Sequence, residues 1–270
     1  MRFLDTRAHI ALEAVTTDDF LRYRDDLLAQ GKAPRTVNNT IRKILTRPFQ
    51  AAVNQGYIPR NPIAAVRHLR DITIQKGTFT PEQIQGLIEV ASPEWKGFIL
   101  AGYYTGARLL DLAGLTWSNV DLAERSITFR QKKTGSGVKV PIHPELEDYL
   151  LSIQIPDDEK APLFPSLYGR RSQPLSKRFA KLMDAARIDA GMARTKTGAA
   201  GRNVSQLSFH SLRHSFTSAL ANVGVSAELR QKLTGHADDK SHAVYTHHEF
   251  ATIREALEKL GRLPKEGVGQ

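Results

Sequence analysis

Residues 209–220 read FHSLRHSFTSAL, and their spacing predicts a helix with two distinct faces. His210, Arg213 and Thr217 fall on one side, because residues three or four positions apart stack along a helix. The other side is apolar and consists of Leu212, Phe216, Ala219 and Leu220. By itself, this pattern indicates a buried stripe beside a polar surface, so the role of the polar side depends on the rest of the chain.

The segment that follows predicts a second helix, which runs from Ser226 to the Gly235-His236 pair. Gly224 lies in the turn between the two helices, as in a helix-turn-helix, so a DNA-binding regulator is one interpretation. Tyr245 comes nine residues after His236, within AVYTHHEF. A lone tyrosine is usually structural, so by itself this residue does not decide the function.

Two short stretches earlier in the chain alternate between apolar and polar residues, which is typical of β-strands. They cover residues 126–130 and 138–142. The turn between them, QKKTGSG, contains Gly135 and Gly137 and suits a hairpin. The sequence therefore predicts a small antiparallel sheet in a chain whose other elements are mainly helical.

Apolar residues at helical spacing and helix-start signals predict the remaining elements. TPEQ at 80–83 is a strong helix start, with threonine as N-cap, proline at the first helical position and glutamine three residues after the cap. Residues 191–206 are polar and glycine-rich and predict a loop. Helices are predicted from Thr17, from Thr36 with a kink at Pro48, and over 97–115, 174–190 and 249–260.

The charge balance and the domain organisation point to a polyanionic partner. The 270 residues include 38 Lys/Arg and 28 Asp/Glu, which gives a net charge of +10. The chain lacks cysteine, which excludes disulfides, a thiol nucleophile and zinc fingers. No apolar run reaches the ~18 residues of a spanning helix, and the N-terminus lacks a signal-peptide core, so we expect a cytoplasmic protein. We predict a basic helical domain over 1–70, a linker over 71–79 and a second domain over 80–270.

Five short motifs occur along the chain in a fixed order: TGARLLDL at 105–112, KKTG at 132–135, HSLRH at 210–214, TGH at 234–236, and Tyr245. Each motif is weak alone, but in this order and spacing they resemble the tyrosine recombinase, or phage integrase, family. The resemblance covers nearly the whole chain, since the TVNNTIRKI…AAVNQGYIPRNP stretch is similar to the family's N-terminal core-binding domain.

The resemblance implies a set of site residues. Asp111 stands where the family places a supporting acid, usually glutamate, and Lys132 is a rival to Lys133 as the hairpin lysine. His236 stands where the family has histidine or tryptophan. Tyr103 and Tyr104, the rival nucleophiles, precede TGAR on an apolar helix and are predicted to be core residues. The implied catalytic residues are Arg108, Lys133, His210, Arg213, His236 and Tyr245.

The implied chemistry suits these residue types. Arg108 and Arg213 would bind the non-bridging oxygens of a DNA phosphodiester, where negative charge builds up. Tyr245 would attack phosphorus and form a 3′-phosphotyrosyl link, with His210 as the base. Lys133 would protonate the departing 5′-hydroxyl, and the imidazole at position 236 would hydrogen-bond the phosphate. The bond energy stays in the phosphotyrosine, so the resemblance implies neither ATP nor a metal cofactor.

The family resemblance also implies a fold and partners. The fold is mainly α with a small antiparallel β-sheet: an N-terminal helical core-binding (SAM-like) domain and a C-terminal catalytic domain. The partner is double-stranded DNA with a specific attachment or crossover site, on which four copies assemble. The free protein would be a monomer or weak dimer, and DNA-bending accessory proteins are possible partners. The expected DNA-binding residues outside the catalytic set are Arg35, Arg42, Lys43 and Lys132.

Two other functions use some of the same features. A helix-turn-helix regulator explains the charge and Gly224, but it does not explain the order of Arg108, Lys133 and Tyr245. A type IB topoisomerase uses the same residue set to relax supercoils; the N-terminal helical domain and the overall size favour a recombinase. About 15 residues precede Thr16, so the N-terminal domain is short for the family, either naturally compact or truncated.

Overall fold

The structure is a computed structural model, and its described residues are mainly helical. They comprise residues 10–70, 76–194, 203–234 and 247–264. Within them lie a three-stranded antiparallel sheet and a two-stranded pair. The predicted fold class is therefore confirmed, while the SAM-like character of the N-terminal domain stays a prediction. No helix among these residues is both long and apolar enough to cross a bilayer.

The chain divides into two compact units. The first contains Met1–Gln75 and Met192–Val204, and the second contains Lys76–Gly191 and Ser205–Gln270. The predicted boundaries at 1–70, 71–79 and 80–270 stay a prediction. No pattern in the sequence indicates that residues 192–204 group with the first unit.

The first unit is built from short helices around a small apolar core. Thr16 caps its first long helix, and its N–H donates to Asp19 Oδ2 at 2.9 Å in the start that the sequence predicts. In the core, the rings of Phe20 and Phe49 meet edge to face with centroids 5.0 Å apart. The elements are a 3₁₀ turn at Leu12–Ala14, α1 at Thr17–Ala29, α2 at Pro34–Asn38, a π-helix at Asn39–Leu45 and α3 at Thr46–Asn54.

A π-helix directly precedes α3, and the kink predicted at Pro48 stays a prediction. Proline has no N–H to donate to the carbonyl four residues earlier, and its ring crowds that carbonyl. Pro48 lies in the first turn of α3, which continues from the π-helix, where the N–H of Thr46 donates to the Ile41 carbonyl five residues earlier. The turns of the π-helix at Asn39–Leu45 are wider than α-helical turns, so the backbone hydrogen bonds change register before α3 begins.

From residue 76 onward, helices surround the three-stranded sheet. In this sheet, β2 pairs with β3 so that Ile127 faces Val140 and Phe129 faces Val138, all four of them buried. The helices are α4 at Pro81–Val90, α5 at Pro93–Thr105, α6 at Leu109–Leu112, α7 at Pro144–Ser152, α8 at Ser172–Ala185, α9 at Phe209–Asn222, α10 at Ala227–Thr234 and α11 at His247–Lys259. The strands are β1 at Val120–Asp121, β2 at Ser126–Arg130, β3 at Gly137–Pro141, β4 at Met192–Arg194 and β5 at Asn203–Ser205.

Helix α5 lies in the centre of the larger core, against α9. The predicted apolar face of α9 is confirmed, since Leu212, Phe216 and Leu220 are fully buried. The prediction that Tyr103 and Tyr104 are core residues is also confirmed. Tyr104 Oη donates to Glu145 Oε2 at 2.6 Å, and burial followed by this contact raises the pKa of the phenol well above its ordinary value.

The helix predicted over 97–115 is wrong as one element, because the chain breaks it into α5 and α6. Gly106 ends α5 with a left-handed φ of 61°, and Arg108 becomes the N-cap residue of α6. A β-carbon at Gly106 would come within 2.6 Å of Phe216 Cδ1. The break is therefore fixed by tight packing against α9, which local periodicity does not reveal.

Three smaller expectations also need correction. Residues 191–206, predicted as a loop, contain β4 and β5, and the sheet gains β1, which has two residues. The helix predicted over 174–190 is α8, which ends at Ala185 shortly before Arg187 adopts a φ of 55°. Strands of two or three residues are too short to show a period, so the sequence pattern misses them.

Replacing Gly106 by alanine should destabilise the protein more than the same change at Gly135. Both glycines have positive φ, which costs an alanine about 1–2 kcal/mol. The Gly135 position has open space around it, whereas Gly106 would also clash with Phe216. We expect Gly106→Ala to lose about 2–4 kcal/mol and Gly135→Ala about 1 kcal/mol in urea unfolding. Equal losses would contradict the packing argument.

Candidate active site

Five of the predicted site residues line one pocket of about 360 Å³ in the second unit. They come from three motifs that are far apart in sequence: the TGAR stretch, the β2–β3 turn and the start of α9. Ser176 of α8 and Ser208 add hydroxyl groups to the wall. The five predicted residues are Arg108, Asp111, Lys132, Lys133 and His210.

Arg108 is held at the pocket by the break between α5 and α6. Its Nη1 donates to Gln131 Oε1 and lies 3.9 Å from Asp111 Oδ2. About a fifth of the side chain, 21%, is exposed, so the guanidinium is anchored on one side and open on the other. An arginine in this position can present its remaining donors to an anion.

Arg213 lies deeper, on the polar face of α9, with 3% of its surface exposed. Its Nη1 donates to the carbonyl of Gly106 at 2.9 Å, and its Nη2 donates to the carbonyl of Thr234. Burial, followed by the positive charge of Arg108, lowers the pKa of Arg213 to about 10. The guanidinium therefore stays charged at neutral pH, and its repulsion from Arg108 makes this place favourable for an anion.

Asp111 supports both the arginine and the lysine motif. Its side chain is almost fully buried, and Oδ1 accepts a hydrogen bond of 2.9 Å from the backbone N–H of Lys132. Its Oδ2 makes no hydrogen bond within the described part of the chain, and it faces Arg108. The carboxylate thus anchors the β2–β3 turn and supplies negative charge behind the guanidinium.

The two lysines of the turn both line the pocket. The ammonium of Lys132 lies against the end of α6, since a β-carbon at Gly114 would come within 3.0 Å of Lys132 Nζ. Lys133 is exposed, and its positive charge acts on His210 across the pocket. Of the two ammonium groups, the one on Lys133 therefore contributes to the lowered pKa of His210.

His210 keeps an exposed face at the rim of the pocket, and its ring meets that of His214 edge to face at 4.9 Å. Partial removal of water lowers the pKa of His210 to about 4, and the charges of His214, Arg213, Arg108 and Lys133 act in the same direction. The imidazole is therefore neutral at physiological pH and able to accept a proton.

Gln131 is a site residue that the sequence reasoning missed. It is 1% exposed, and Oε1 accepts from Arg108 and, at 3.1 Å, from Thr134 Oγ1. Its Nε2 donates to the Thr234 carbonyl at 3.1 Å. The sequence signal that could have identified Gln131 is the alternation along β2. Ile127, Phe129 and Gln131 are two residues apart and occupy the same buried side.

Of the remaining predicted residues, two lie outside the described residues and three lie in the first unit. His236 and Tyr245 lie outside the described residues, between the end of α10 and the start of α11. Arg35 and Lys43 are exposed in the first unit. Arg42 is also exposed, but its Nη1 donates to the Val66 carbonyl at 2.6 Å, so part of the guanidinium serves the fold of that unit.

The pocket therefore combines fixed positive charge with a neutral base. The guanidinium of Arg108, which a carboxamide holds, lines the pocket, and the buried guanidinium of Arg213, which two main-chain carbonyls hold, adds its charge from behind. Two lysine ammonium groups and an uncharged imidazole complete the part of the pocket that is described. Such a group of donors can bind a phosphate diester and stabilise the extra charge that develops during attack on phosphorus.

The acidity of His210 should be measurable in the DNA-free protein. We expect a pKa near 4 for His210 in the folded protein, below the value of about 6.5 in the unfolded chain. As the pH drops from 6.5 towards 4, the unfolded chain therefore binds the proton first, and the free energy of unfolding falls. Arg108→Gln removes a positive neighbour and should raise the pKa of His210. Histidine NMR titrations, assigned with His210→Asn, check this, with Lys160→Gln as the control. A midpoint above 6 for His210 would contradict the electrostatic account.

Comparison with known proteins places the chain in a family. It is 25% identical to the tyrosine recombinase XerA of Pyrococcus furiosus over 254 residues. The aligned region covers 92% of this chain and 82% of that protein. Its fold is similar to the Tn1549 transposon integrase in complex with circular intermediate DNA, with a TM-score of 0.63, 21% identity and coverage of 89% and 84%. A lambda integrase tetramer bound to a Holliday junction gives a TM-score of 0.61, 22% identity and coverage of 85% and 66%.

The family match itself extends over residues 78–252 and thus includes every predicted catalytic position. It covers more than half of the chain. The chain therefore belongs to the phage integrase family of tyrosine recombinases, enzymes that cleave and rejoin DNA.

Proposed function

We propose that the protein is a site-specific recombinase that cuts and rejoins double-stranded DNA through a 3′-phosphotyrosyl intermediate. The observation that carries the proposal is a pocket lined by Arg108, Lys133 and a neutral His210, with the charge of the buried Arg213 acting on His210. These side chains come from three separate motifs, and a pocket of this charge suits a phosphodiester. A regulator that only binds DNA has no need of a base in such a pocket.

The first step is the binding of the scissile phosphate. The two guanidiniums would each donate hydrogen bonds to non-bridging oxygens, and the open face of Arg108 leaves donors free for this purpose. Their mutual repulsion in the empty pocket is relieved when the phosphate carries its charge between them. The five-coordinate transition state carries extra negative charge, which strengthens the same contacts. Contacts that are stronger in the transition state than in the bound substrate are the ones that accelerate the reaction.

The second step is cleavage, in which Tyr245 is the proposed nucleophile. Its Oη forms a bond to phosphorus while the bond between phosphorus and O5′ breaks, and the 3′-phosphate remains on the enzyme. His210 takes the phenolic proton, and Lys133 gives a proton to the departing O5′. His236 is proposed to donate a hydrogen bond to the phosphate. A 5′-hydroxyl from a second strand reverses the step and releases the tyrosine, so no ATP is consumed.

The proposed partner is a duplex with a specific crossover site, on which four copies assemble. The net charge of +10 and the exposed Arg35 and Lys43 support binding to DNA. The similarity to a lambda integrase tetramer on a Holliday junction supports the assembly. Since phosphate contacts would supply much of the affinity, binding should weaken steeply as salt rises.

The nucleophile is tested by trapping the covalent intermediate. A nicked suicide duplex that carries the candidate attachment site loses a short 5′-hydroxyl fragment on cleavage, so the adduct cannot be reversed. We expect the wild-type protein to form a covalent band on a denaturing gel in EDTA, whereas Tyr245→Phe forms none. An adduct from Tyr245→Phe would refute the assignment, and loss of the wild-type adduct in EDTA would refute the proposed metal-independence.

The choice between the two lysines is tested with a substrate that needs no acid. A 5′-bridging phosphorothiolate leaves as a thiolate of low pKa, so a missing proton donor matters little. We expect Lys133→Ala to cleave the normal diester about 100-fold more slowly and to recover most of that loss on the phosphorothiolate. Lys132→Ala is the matched control, with less than about a 10-fold effect on either substrate. The reverse result would assign the acid to Lys132.

A further inference from the structure

The carboxamide of Gln131 connects residues of three separate motifs. Its oxygen accepts from the first-motif arginine, Arg108, and from Thr134 in the β2–β3 turn. Its nitrogen donates to the carbonyl of Thr234, the last residue of α10. Because that carbonyl also accepts from Arg213, a continuous chain of hydrogen bonds links the two guanidiniums.

The burial of Gln131 gives these hydrogen bonds their importance. With 1% of its surface exposed, its amide has little access to water, so each polar atom depends on a partner inside the protein. Both of its polar atoms find partners, and all of these belong to the pocket or to the elements that form it. A glutamine that only filled space in the core would be replaceable by an apolar side chain of similar length.

The uncharged nature of this side chain is also informative. A carboxylate in the same place would hold Arg108 at least as firmly, but it would neutralise the charge that the phosphate needs and would repel the Thr234 carbonyl. The carboxamide orients the guanidinium without neutralising it. Asp111 supplies the nearby negative charge from a longer distance, 3.9 Å.

We propose that Gln131 is a positioning residue that directs Arg108 towards the scissile phosphate and keeps it in register with Arg213 through the Thr234 carbonyl. The proposal rests on the function proposed above. Gln131 is too deeply buried to reach DNA, so it would act through Arg108. Its removal should therefore weaken the interaction with the charge on the non-bridging oxygens and leave other steps intact.

A substrate without that charge separates this role from a general effect on the fold. In a methylphosphonate, a methyl group replaces one non-bridging oxygen, so the neutral linkage gains little from a well-placed guanidinium. We expect Gln131→Met to form the covalent adduct about 10- to 100-fold more slowly on the normal diester. On the preferred methylphosphonate isomer, we expect its rate to lie within about threefold of the wild-type rate. Arg108→Ala should show the same pattern with a larger loss on the diester.

Two further variants make the result decisive. Gln85→Met is the matched control, because Gln85 lies on α4 and bonds to Glu89, and it should leave both rates unchanged. Gln131→Glu keeps a contact to Arg108 but neutralises its charge, so it should also be slow on the diester only. If thermal unfolding shows that Gln131→Met does not fold, the rates of Gln131→Glu test the proposal instead.

The outcomes that overturn the proposal differ from those that overturn the function. If the Gln131 variants are as fast as the wild type on the diester, or equally slow on both substrates, Gln131 does not act through Arg108. If the wild-type protein binds the duplex but forms no adduct on the diester, the recombinase function itself fails. Adduct formation by the wild type is therefore measured first, on the same duplex.

Discussion

The candidate site depends on how the protein holds the buried guanidinium of Arg213. A cation with 3% of its surface exposed is unfavourable unless fixed dipoles replace the water it has lost. Two main-chain carbonyls do so, one from Gly106 and one from Thr234. The carbonyl of Gly106 lies where α5 ends, and Thr234 is the last described residue of α10. Helix ends leave carbonyls without partners inside the helix, which makes them available to the arginine.

This arrangement explains why the chain breaks its central apolar helix at Gly106. A continuous helix would use the carbonyl of residue 106 for its own hydrogen bond and would carry the side chain of Arg108 round the helix axis. The left-handed Gly106 instead turns its carbonyl to Arg213 and starts α6 at Arg108. One glycine thus serves both guanidiniums, and the close packing of Phe216 fixes its conformation. The fold tolerates the lost helical hydrogen bonds because charged hydrogen bonds to the arginine replace them.

Much of this structure follows from the sequence, and the part that does not has a common cause. The apolar face of α9, the capping box at Thr80 and the β2–β3 hairpin were predictable because their signals are local. The break at Gly106 and the role of Gln131 were not. Gln131 bonds to residues 23 and 103 positions away, so only the folded chain shows its partners. The motif order indicated which charged residues meet, but not which neutral residue joins them.

On the proposed mechanism, the same fixed charges tie the basicity of His210 to the presence of substrate. In the DNA-free pocket, partial burial lowers the pKa of His210, and its positive neighbours lower it further, so it is neutral but a weak base. A phosphate bound between Arg108 and Arg213 would compensate part of that positive charge. The pKa of the imidazole would then rise, and His210 would become a stronger base when a phosphodiester is in place. If His210 is the base, such a pocket would activate its nucleophile little without DNA, because the positive charge that lowers the pKa of His210 is the charge that the substrate would neutralise.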